Sequence, residues 1–277
     1  MNLHLAVIAT AMLLAGCASP TLTTTAPGSG VAIDTRHVSA NQDSRVLFLV
    51  LHYTVADLPG SIKVLIEPAA EVSAHYLLSD ETPPRIFRLV DESRRAWHSG
   101  PSSWRGHAML NAGSIGIEIV HPGFRTRPDG TREYLPFPQA QIDALIPLVQ
   151  DIVKRHAIRP ERVVGHSDVL PQQKQDPGPT FPWQRLADLG LIAWPDAARV
   201  AAERPRFEAQ LPDVAWFQKG LAMHGFVVPQ NDQLDEATRN VVSAFQMKYR
   251  PARYDGTPDA ETAALLQVLI TPAAPKP

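Results

Sequence analysis

Apolar runs separated by polar turn segments occupy the first two thirds of the chain, and they predict buried strands. The longest run, RVLFLVLHYT at 45–54, is continuous, which is typical of a strand buried on both faces, and it ends near His52. ERVVGH predicts a short strand that carries His166 at its end. Three further strands are predicted from the segments EVSAHYLLS (71–79), RIFRLVD (85–91) and GSIGIEIV (113–120).

Helical periodicity appears between these strands. LPGSIKVLIE predicts a short helix that begins near Pro59, and residues 137–158 carry apolar side chains at the spacing of an amphipathic helix. Pro147 predicts a bend in the longer helix. Strands that alternate with helices predict the α/β fold class, with a mixed central β-sheet flanked by helices.

The pattern changes after residue 195. Residues 196–211 are rich in alanine, proline and charge and predict a linker, and residues 212–272 predict a small three-helix C-terminal domain. Asp235 and Asp259 each stand three residues before a threonine, at positions where an aspartate can cap a helix N-terminus. The two halves therefore resemble degenerate copies of one unit.

The N-terminus predicts export. MNLHLAVIATAMLLAGC, residues 1–17, is a short apolar segment that resembles a bacterial lipoprotein signal, in which Cys17 becomes the lipidated first residue. An ordinary cleaved signal peptide with a chance cysteine is the alternative. Residues 18–40 predict a flexible tether, and Ala18 resembles the residue found in lipoproteins sent to the outer membrane. We therefore expect a periplasmic protein with a lipid anchor, held at the outer membrane.

Composition excludes some function classes. The 277 residues are 44% hydrophobic, enough for ordinary cores, and the formal net charge is −2. A near-neutral chain predicts no nucleic-acid partner and no membrane surface bound by charge alone. A single cysteine leaves no intramolecular disulfide, and nothing implies an obligate protein partner.

One proline-stiffened loop concentrates the chemistry. VVGHSDVLPQQKQDPGP, residues 163–179, contains His166, Lys174 and Asp176, and His52 ends a separate predicted strand. Two imidazoles and one carboxylate suit Zn²⁺, and three protein ligands leave the fourth position open for water, as in catalytic zinc sites. A structural zinc site would favour four ligands and thiolates. The sequence therefore predicts one catalytic zinc per chain, bound by His52, His166 and Asp176.

Several motifs together resemble the type-2 N-acetylmuramoyl-L-alanine amidases. They are LHYT, AHYLLS, AWHSG, SIGIEIV and GHSDVLPQQKQDPGP, and the resemblance covers roughly residues 40–195, with an amidase domain at 41–195. It is nearest to the lipoprotein amidases of the bacterial outer membrane. The resemblance implies that His52, His166 and Asp176 bind zinc, that Glu118 is the general base and that Lys174 stabilises the oxyanion.

The same resemblance suggests roles for residues around the metal. Some family members carry tyrosine and cysteine where this chain has Ala74 and Asp176, which indicates the subgroup that relies on Glu118. Asp168 is interpreted as a group that orients the loop. Four aromatic or imidazole side chains are expected to line the substrate groove: His75, Trp97, His98 and Trp104.

The C-terminal segment resembles a three-helix peptidoglycan-binding domain, on the basis of the Phe245–Gln246 pair and the Asp255–Gly256 turn. The resulting prediction is an enzyme that uses zinc to hydrolyse the amide bond between N-acetylmuramic acid and L-alanine in peptidoglycan or muropeptides. Two alternatives stay open: a peptidoglycan-binding protein without catalysis, and a zinc peptidase that cuts within the stem peptide. A cytoplasmic amidase for recycled anhydro-muropeptides is disfavoured by the signal and the C-terminal domain.

Overall fold

The computed structural model describes residues 23–24, 32–34 and 36–271. The signal segment and Cys17 lie outside these residues. The chain divides into two compact units, Met1–Asp43 and Ser44–Pro277. In the first unit, strands β1 (Thr23–Thr24) and β2 (Ala32–Ile33) pair antiparallel. Across the described ranges, no helix combines the length and the apolar character needed to cross a membrane.

The second unit holds the predicted amidase and C-terminal segments together. Its strands, in chain order, are β3 (Phe48–Tyr53), β4 (Tyr76–Leu78), β5 (Ile86–Arg88), β6 (Ser103–Trp104), β7 (His107–Ala108), β8 (Ser114–Ile119), β9 (Phe124–Thr126), β10 (Arg132–Tyr134) and β11 (Val163–Gly165). Its α-helices are α1 (Leu58–Ile66), α2 (Gln139–His156), α3 (His166–Val169), α4 (Trp183–Asp188), α5 (Ala197–Ala209), α6 (Val214–His224), α7 (Glu236–Tyr249) and α8 (Ala260–Ile270).

The central sheet is mixed, as the sequence predicts. Its order is β11-β3-β8-β4-β5, with parallel pairing between the first four strands and antiparallel pairing of β4 with β5. The helix that starts at Leu58 is capped by Asp57, whose side chain accepts a hydrogen bond from the Gly60 amide. The strand and helix expectations for this region are confirmed, with shorter strands than the apolar runs suggested.

Alternation along β8 separates the two faces of the sheet. Ile115, Ile117 and Ile119 are fully buried in a core that includes the apolar face of α2. The intervening positions, Gly116 and Glu118, therefore project to the opposite face. That opposite face carries Glu118 and, on the neighbouring strand β3, His52.

The C-terminal helices cover part of this second face. A single apolar cluster contains Phe48 and Val164 of the sheet together with Phe217 and Phe245 of α6 and α7. Most of the segment predicted as a linker, residues 196–211, forms α5, and its Phe207 is buried in the same cluster. The two segments are consequently joined by a shared hydrophobic core.

Two glutamines reveal the repeat in the C-terminal domain. The Gln218 amide donates to Thr238 Oγ1 at the start of α7, and the Gln246 amide donates to Thr262 Oγ1 at the start of α8, at 2.9 and 3.0 Å. The predicted aspartate caps are confirmed, since Asp235 and Asp259 accept hydrogen bonds from the backbone amides of those two threonines. Each half therefore contains a buried glutamine whose side chain donates a hydrogen bond to the first turn of the next capped helix.

Candidate metal and catalytic site

Three donor atoms meet at the end of the central sheet. His52 Nδ1 lies 3.0 Å from His166 Nδ1, and Asp176 Oδ2 lies 3.1 Å from each of these nitrogens. All three side chains are buried. The structure thus brings together the three residues that the sequence predicts as metal ligands.

The donor set fits a tetrahedral cation. Zinc bonds of about 2.0–2.1 Å place neighbouring ligand atoms roughly 3.3 Å apart, close to the observed triangle. Two imidazole nitrogens and a carboxylate oxygen facing one another carry lone pairs that repel unless a proton or cation lies between them. The residues therefore match a His, His, Asp zinc site with an open fourth position.

Strand register places the predicted base beside this triangle. His52 on β3 and Glu118 on β8 are directly paired neighbours in the parallel ladder, so both side chains project from the same face. Glu118 lines a cleft of about 650 Å³ that also reaches His166, Lys174 and Asp176. The cleft therefore joins the metal site to the predicted catalytic pair.

The loop that carries His166 and Asp176, residues 163–179, is stabilised by one backbone hydrogen bond and by close packing. It is called the ligand loop below. The Ser167 amide donates to the Asp176 carbonyl at 2.9 Å, which ties the residue after one ligand to the other ligand. Gly165 precedes His166, and a Cβ atom at Gly165 would lie 2.7 Å from Pro177 Cδ. The loop can pack this tightly because residue 165 has no side chain.

Burial and neighbouring groups shift the pKa values of two predicted ligands, His52 and Asp176. Burial lowers the pKa of His52 to about 4, which keeps its imidazole neutral near pH 7, as metal binding requires. Burial alone would raise the pKa of Asp176, but the charge of His166 and the hydrogen bonds from both imidazoles hold that pKa below its ordinary value. The site thus offers a neutral imidazole at His52 and a carboxylate at Asp176.

Glu118 has the environment of a proton acceptor whose basicity is raised. Burial, followed by the charge of Asp176, raises the pKa of Glu118 to about 8, and the Lys174 charge opposes this rise. Its Oε2 atom is buried without a hydrogen-bond partner among the described residues. A cation at the neighbouring triangle would also favour the carboxylate form by its charge. The free oxygen is available to accept a proton from water in the cleft.

Comparison with known proteins agrees with this geometry. The family model described as N-acetylmuramoyl-L-alanine amidase matches residues 42–179, and a peptidoglycan binding domain model matches residues 210–266. The chain is 43% identical to the N-acetylmuramoyl-L-alanine amidase AmiD of Escherichia coli over 272 residues, which is 95% of each protein.

The chain belongs to the N-acetylmuramoyl-L-alanine amidase family.

Solved structures of amidases support the fold as well. The E. coli amidase in complex with anhydro-N-acetylmuramic acid-L-Ala-D-γ-Glu-L-Lys has a TM-score of 0.78 and 41% identity, covering 87% of this chain and 95% of that one. AmpDh3 of Pseudomonas aeruginosa has a TM-score of 0.79 and 38% identity, covering 86% and 97%. The predicted fold and amidase activity are therefore confirmed, and the C-terminal segment matches a peptidoglycan binding domain model, as predicted.

Within the amidase cleft, His98 contacts His52, one of the three predicted metal ligands. Its Nδ1 lies 3.0 Å from His52 Nε2, and its Nε2 lies 3.0 Å from Ser114 Oγ. His98 is 7% exposed at the cleft wall, so the sequence expectation located it correctly but missed its contact with the ligand. Gly116 makes room for this ring, because a Cβ there would lie 2.4 Å from His98 Cγ.

The other three residues expected in the groove separate into two groups. Trp97 is 48% exposed and lines the cleft. His75 and Trp104 do not, and that expectation is corrected. His75 is fully buried and accepts a hydrogen bond from the Gly116 amide, and Trp104 packs edge-on against Phe226 of the C-terminal domain. Sequence alone cannot separate an aromatic core residue from one that lines a groove.

Several cleft residues were missed by the sequence analysis. Val55, Val64 and Val72 are exposed apolar side chains on the cleft wall, and their exposure shows only in the fold. Glu236 and Asn240 of α7 also line the cleft, although they belong to the C-terminal domain. A strand or helix pattern contains no signal for such a contribution from a distant segment.

Proposed function

We propose that this amidase uses one zinc ion to hydrolyse the bond between the lactyl carbonyl of N-acetylmuramic acid and the amino group of L-alanine. The proposal depends on the triangle of His52, His166 and Asp176 donor atoms, with 3.0–3.1 Å between them, at one end of the cleft. Glu118 and Lys174 line that same cleft.

Bound zinc would supply a Lewis acid that acidifies water and polarises a carbonyl. Glu118 accepts the proton of the attacking water through its unpartnered carboxylate oxygen. Lys174 is exposed within the cleft and places its positive charge beside the oxyanion. The carbon–nitrogen bond then breaks, and Glu118 returns the proton to the leaving amine of L-alanine.

We further propose that the substrates include both wall peptidoglycan and released anhydro-muropeptides. The solved E. coli and P. aeruginosa relatives hold an anhydro-muramoyl tripeptide and an anhydromuramic pentapeptide, respectively. The peptidoglycan binding segment at 210–266 supports access to the wall itself.

Lipid attachment at Cys17, with the tether at residues 18–40, is proposed to hold the enzyme at the periplasmic side of the outer membrane. This proposal rests on the signal-like sequence of residues 1–17 and on Ala18. Labelling with a radioactive fatty acid, followed by membrane fractionation, is expected to mark the wild-type chain but not Cys17→Ala. Equal labelling of both proteins would contradict it.

The catalytic proposal is tested with the purified chain, intact peptidoglycan and a soluble anhydro-muropeptide, with and without a chelator. Mass spectrometry is expected to find free stem peptides that begin with L-alanine, and these should disappear with chelator and in Glu118→Ala. Fragments cut within the stem peptide would instead indicate a zinc peptidase. Sedimentation with the wall without any released peptide would indicate a binding protein.

A further inference from the structure

A lysine of the C-terminal domain is buried against the amidase segment. The side chain of Lys248, on α7, is 5% exposed, and its Nζ donates to Asp168 Oδ2 at 2.7 Å, where the Asp168 side chain is 1% exposed. The ammonium also lies 4.4 Å from the ring centroid of Trp183. Lysine is almost never fully buried unless it is paired, so this contact is a specific feature of the interface.

Asp168 connects this lysine to a metal ligand. Its Oδ2 atom accepts a second hydrogen bond from the Gly165 amide at 2.8 Å, and Gly165 directly precedes His166. Asp168 itself lies in α3, the single turn that begins at His166. The same carboxylate oxygen therefore holds both the Lys248 ammonium and the junction from which the His166 side chain projects.

Nothing else within the described ranges fixes this carboxylate. Asp168 Oδ1 is buried and has no hydrogen-bond partner there. Without the ammonium, the carboxylate would keep a single hydrogen bond and could rotate about its side-chain torsions. The Lys248 ammonium, from the other end of the chain, is therefore one of the two groups that orient the Asp168 carboxylate.

The rest of the interface holds Lys248 in place. The Gln172 side chain donates to the Ala237 carbonyl and accepts from the side-chain amide of Asn240, both at 3.0 Å. The ligand loop is therefore joined to α7 at a second point. The shared apolar cluster contains Val169, at the end of α3, together with Val241 and Phe245 of α7. Two domains joined only by a flexible linker would not share these hydrogen bonds and this apolar cluster.

We propose that Lys248 is a positioning residue for the metal site, and that the C-terminal domain is therefore part of the catalytic unit as well as a wall-binding segment. This inference rests on the proposed zinc site at His52, His166 and Asp176. In this proposal, Lys248 of α7 orients α3, the turn that begins at His166. The expected consequence is that zinc affinity depends on a residue outside the amidase segment.

The test compares zinc dissociation constants of full-length variants, measured by competition with a chromogenic chelator. Lys248→Met keeps most of the side-chain length but removes the ammonium, and it is expected to raise the zinc dissociation constant about tenfold, as loss of an outer-shell partner typically does. At saturating zinc, kcat on a soluble anhydro-muropeptide should fall while KM stays within about twofold.

Arg105→Met is the matched control. Arg105 also joins the amidase segment to the C-terminal domain, through its Nη1 and the His224 carbonyl at 2.9 Å, and within the described residues it makes no hydrogen bond to residues 165–169. Its zinc dissociation constant is expected to stay within about twofold of the wild-type value. A tenfold rise in this control would mean that any weakening of the interface loosens the metal, which would overturn a specific role for Lys248.

A double variant separates positioning from folding stability. Asp168→Asn combined with Lys248→Met buries no charge, and the asparagine oxygen can still accept from the Gly165 amide. Zinc binding that stays weak while the melting temperature recovers would support positioning, whereas wild-type zinc affinity in the double variant would overturn it. Failure of the wild-type chain to bind zinc would count against the proposed metal site instead.

Discussion

His52 Nε2 lies 3.0 Å from His98 Nδ1, on the side of the ring opposite Nδ1, the atom that faces His166 and Asp176. When Nδ1 of His52 binds a metal, Nε2 carries the hydrogen and donates it to His98. The His98 Nε2–H group then donates to Ser114 Oγ at 3.0 Å. A ligand whose second nitrogen is held in this way keeps one tautomer and one ring orientation.

His98→Phe is therefore expected to weaken zinc binding about 10- to 100-fold, because phenylalanine fills the space but cannot accept the hydrogen bond from His52. His98→Asn retains an acceptor near the position of Nδ1 and should lose less. Zinc dissociation constants of both variants, measured by chelator competition, check the order. Equal affinities for the two variants would show that the hydrogen bond has no part in ligand orientation.

Lys174→Met is expected to reduce kcat about 10²- to 10³-fold, the usual cost of losing one oxyanion donor. The side chain is exposed in the cleft, so the melting temperature should change little. Lys174→Arg keeps the charge and should retain much of the activity. Steady-state kinetics on a soluble anhydro-muropeptide check this prediction, and an unchanged kcat in Lys174→Met would remove the lysine from the mechanism.

Gly116→Ala is expected to lower the free energy of unfolding by about 1–3 kcal/mol, as overpacking a close-packed site does. The added Cβ would lie 2.4 Å from His98 Cγ, so the imidazole must shift and zinc affinity should fall as well. Gly113→Ala is the control, because its Cβ would meet only the Arg45 carbonyl oxygen, at 3.4 Å. Urea unfolding of both variants should separate them clearly, and similar stabilities would contradict the steric argument.

The pKa of Glu92 predicts how the free energy of unfolding depends on pH. The hydrogen bond from Arg155 lowers the pKa of Glu92 to about 2, against burial, with help from the Tyr76 hydroxyl and His156. In the unfolded chain this carboxyl titrates near 4.5, so between these two pH values the folded state binds fewer protons than the unfolded state. The stability from Glu92 is therefore complete above about pH 4.5 and is lost as the pH falls through about 2.

Glu92→Gln is expected to cost about 1–2 kcal/mol at pH 7, a value reduced for solvent screening because Arg155 is 41% exposed. The difference from wild type should shrink as the pH falls from 4.5 towards 2 in a series of urea unfolding experiments. Asp151→Asn removes an exposed partner of the same arginine and should cost less than about 0.5 kcal/mol. A Glu92→Gln penalty that is independent of pH would contradict the assignment.

The candidate site shows which residue positions can be predicted from local sequence. The sequence predicted His52 and His166 at the ends of two strands, and the structure pairs those strands in parallel, with His52 in register with Glu118. Parallel strands end at one edge of a sheet, so polar residues at their exits converge. The same reasoning could not decide whether His75 and Trp104 face the groove or the core, because both positions depend on what packs against them.

Local signals in the sequence determined the strands and the helices with their aspartate caps, because these depend on side-chain periodicity and short-range hydrogen bonds. The residue types at the strand exits indicated the candidate metal ligands. Only the tertiary structure decided that the C-terminal helices cover the second face of the sheet and that Lys248 reaches Asp168, 80 positions away in the chain. No periodic pattern encodes such a pair. Its formation depends on burying a shared apolar core, which excludes water and strengthens the attraction between the two buried charges.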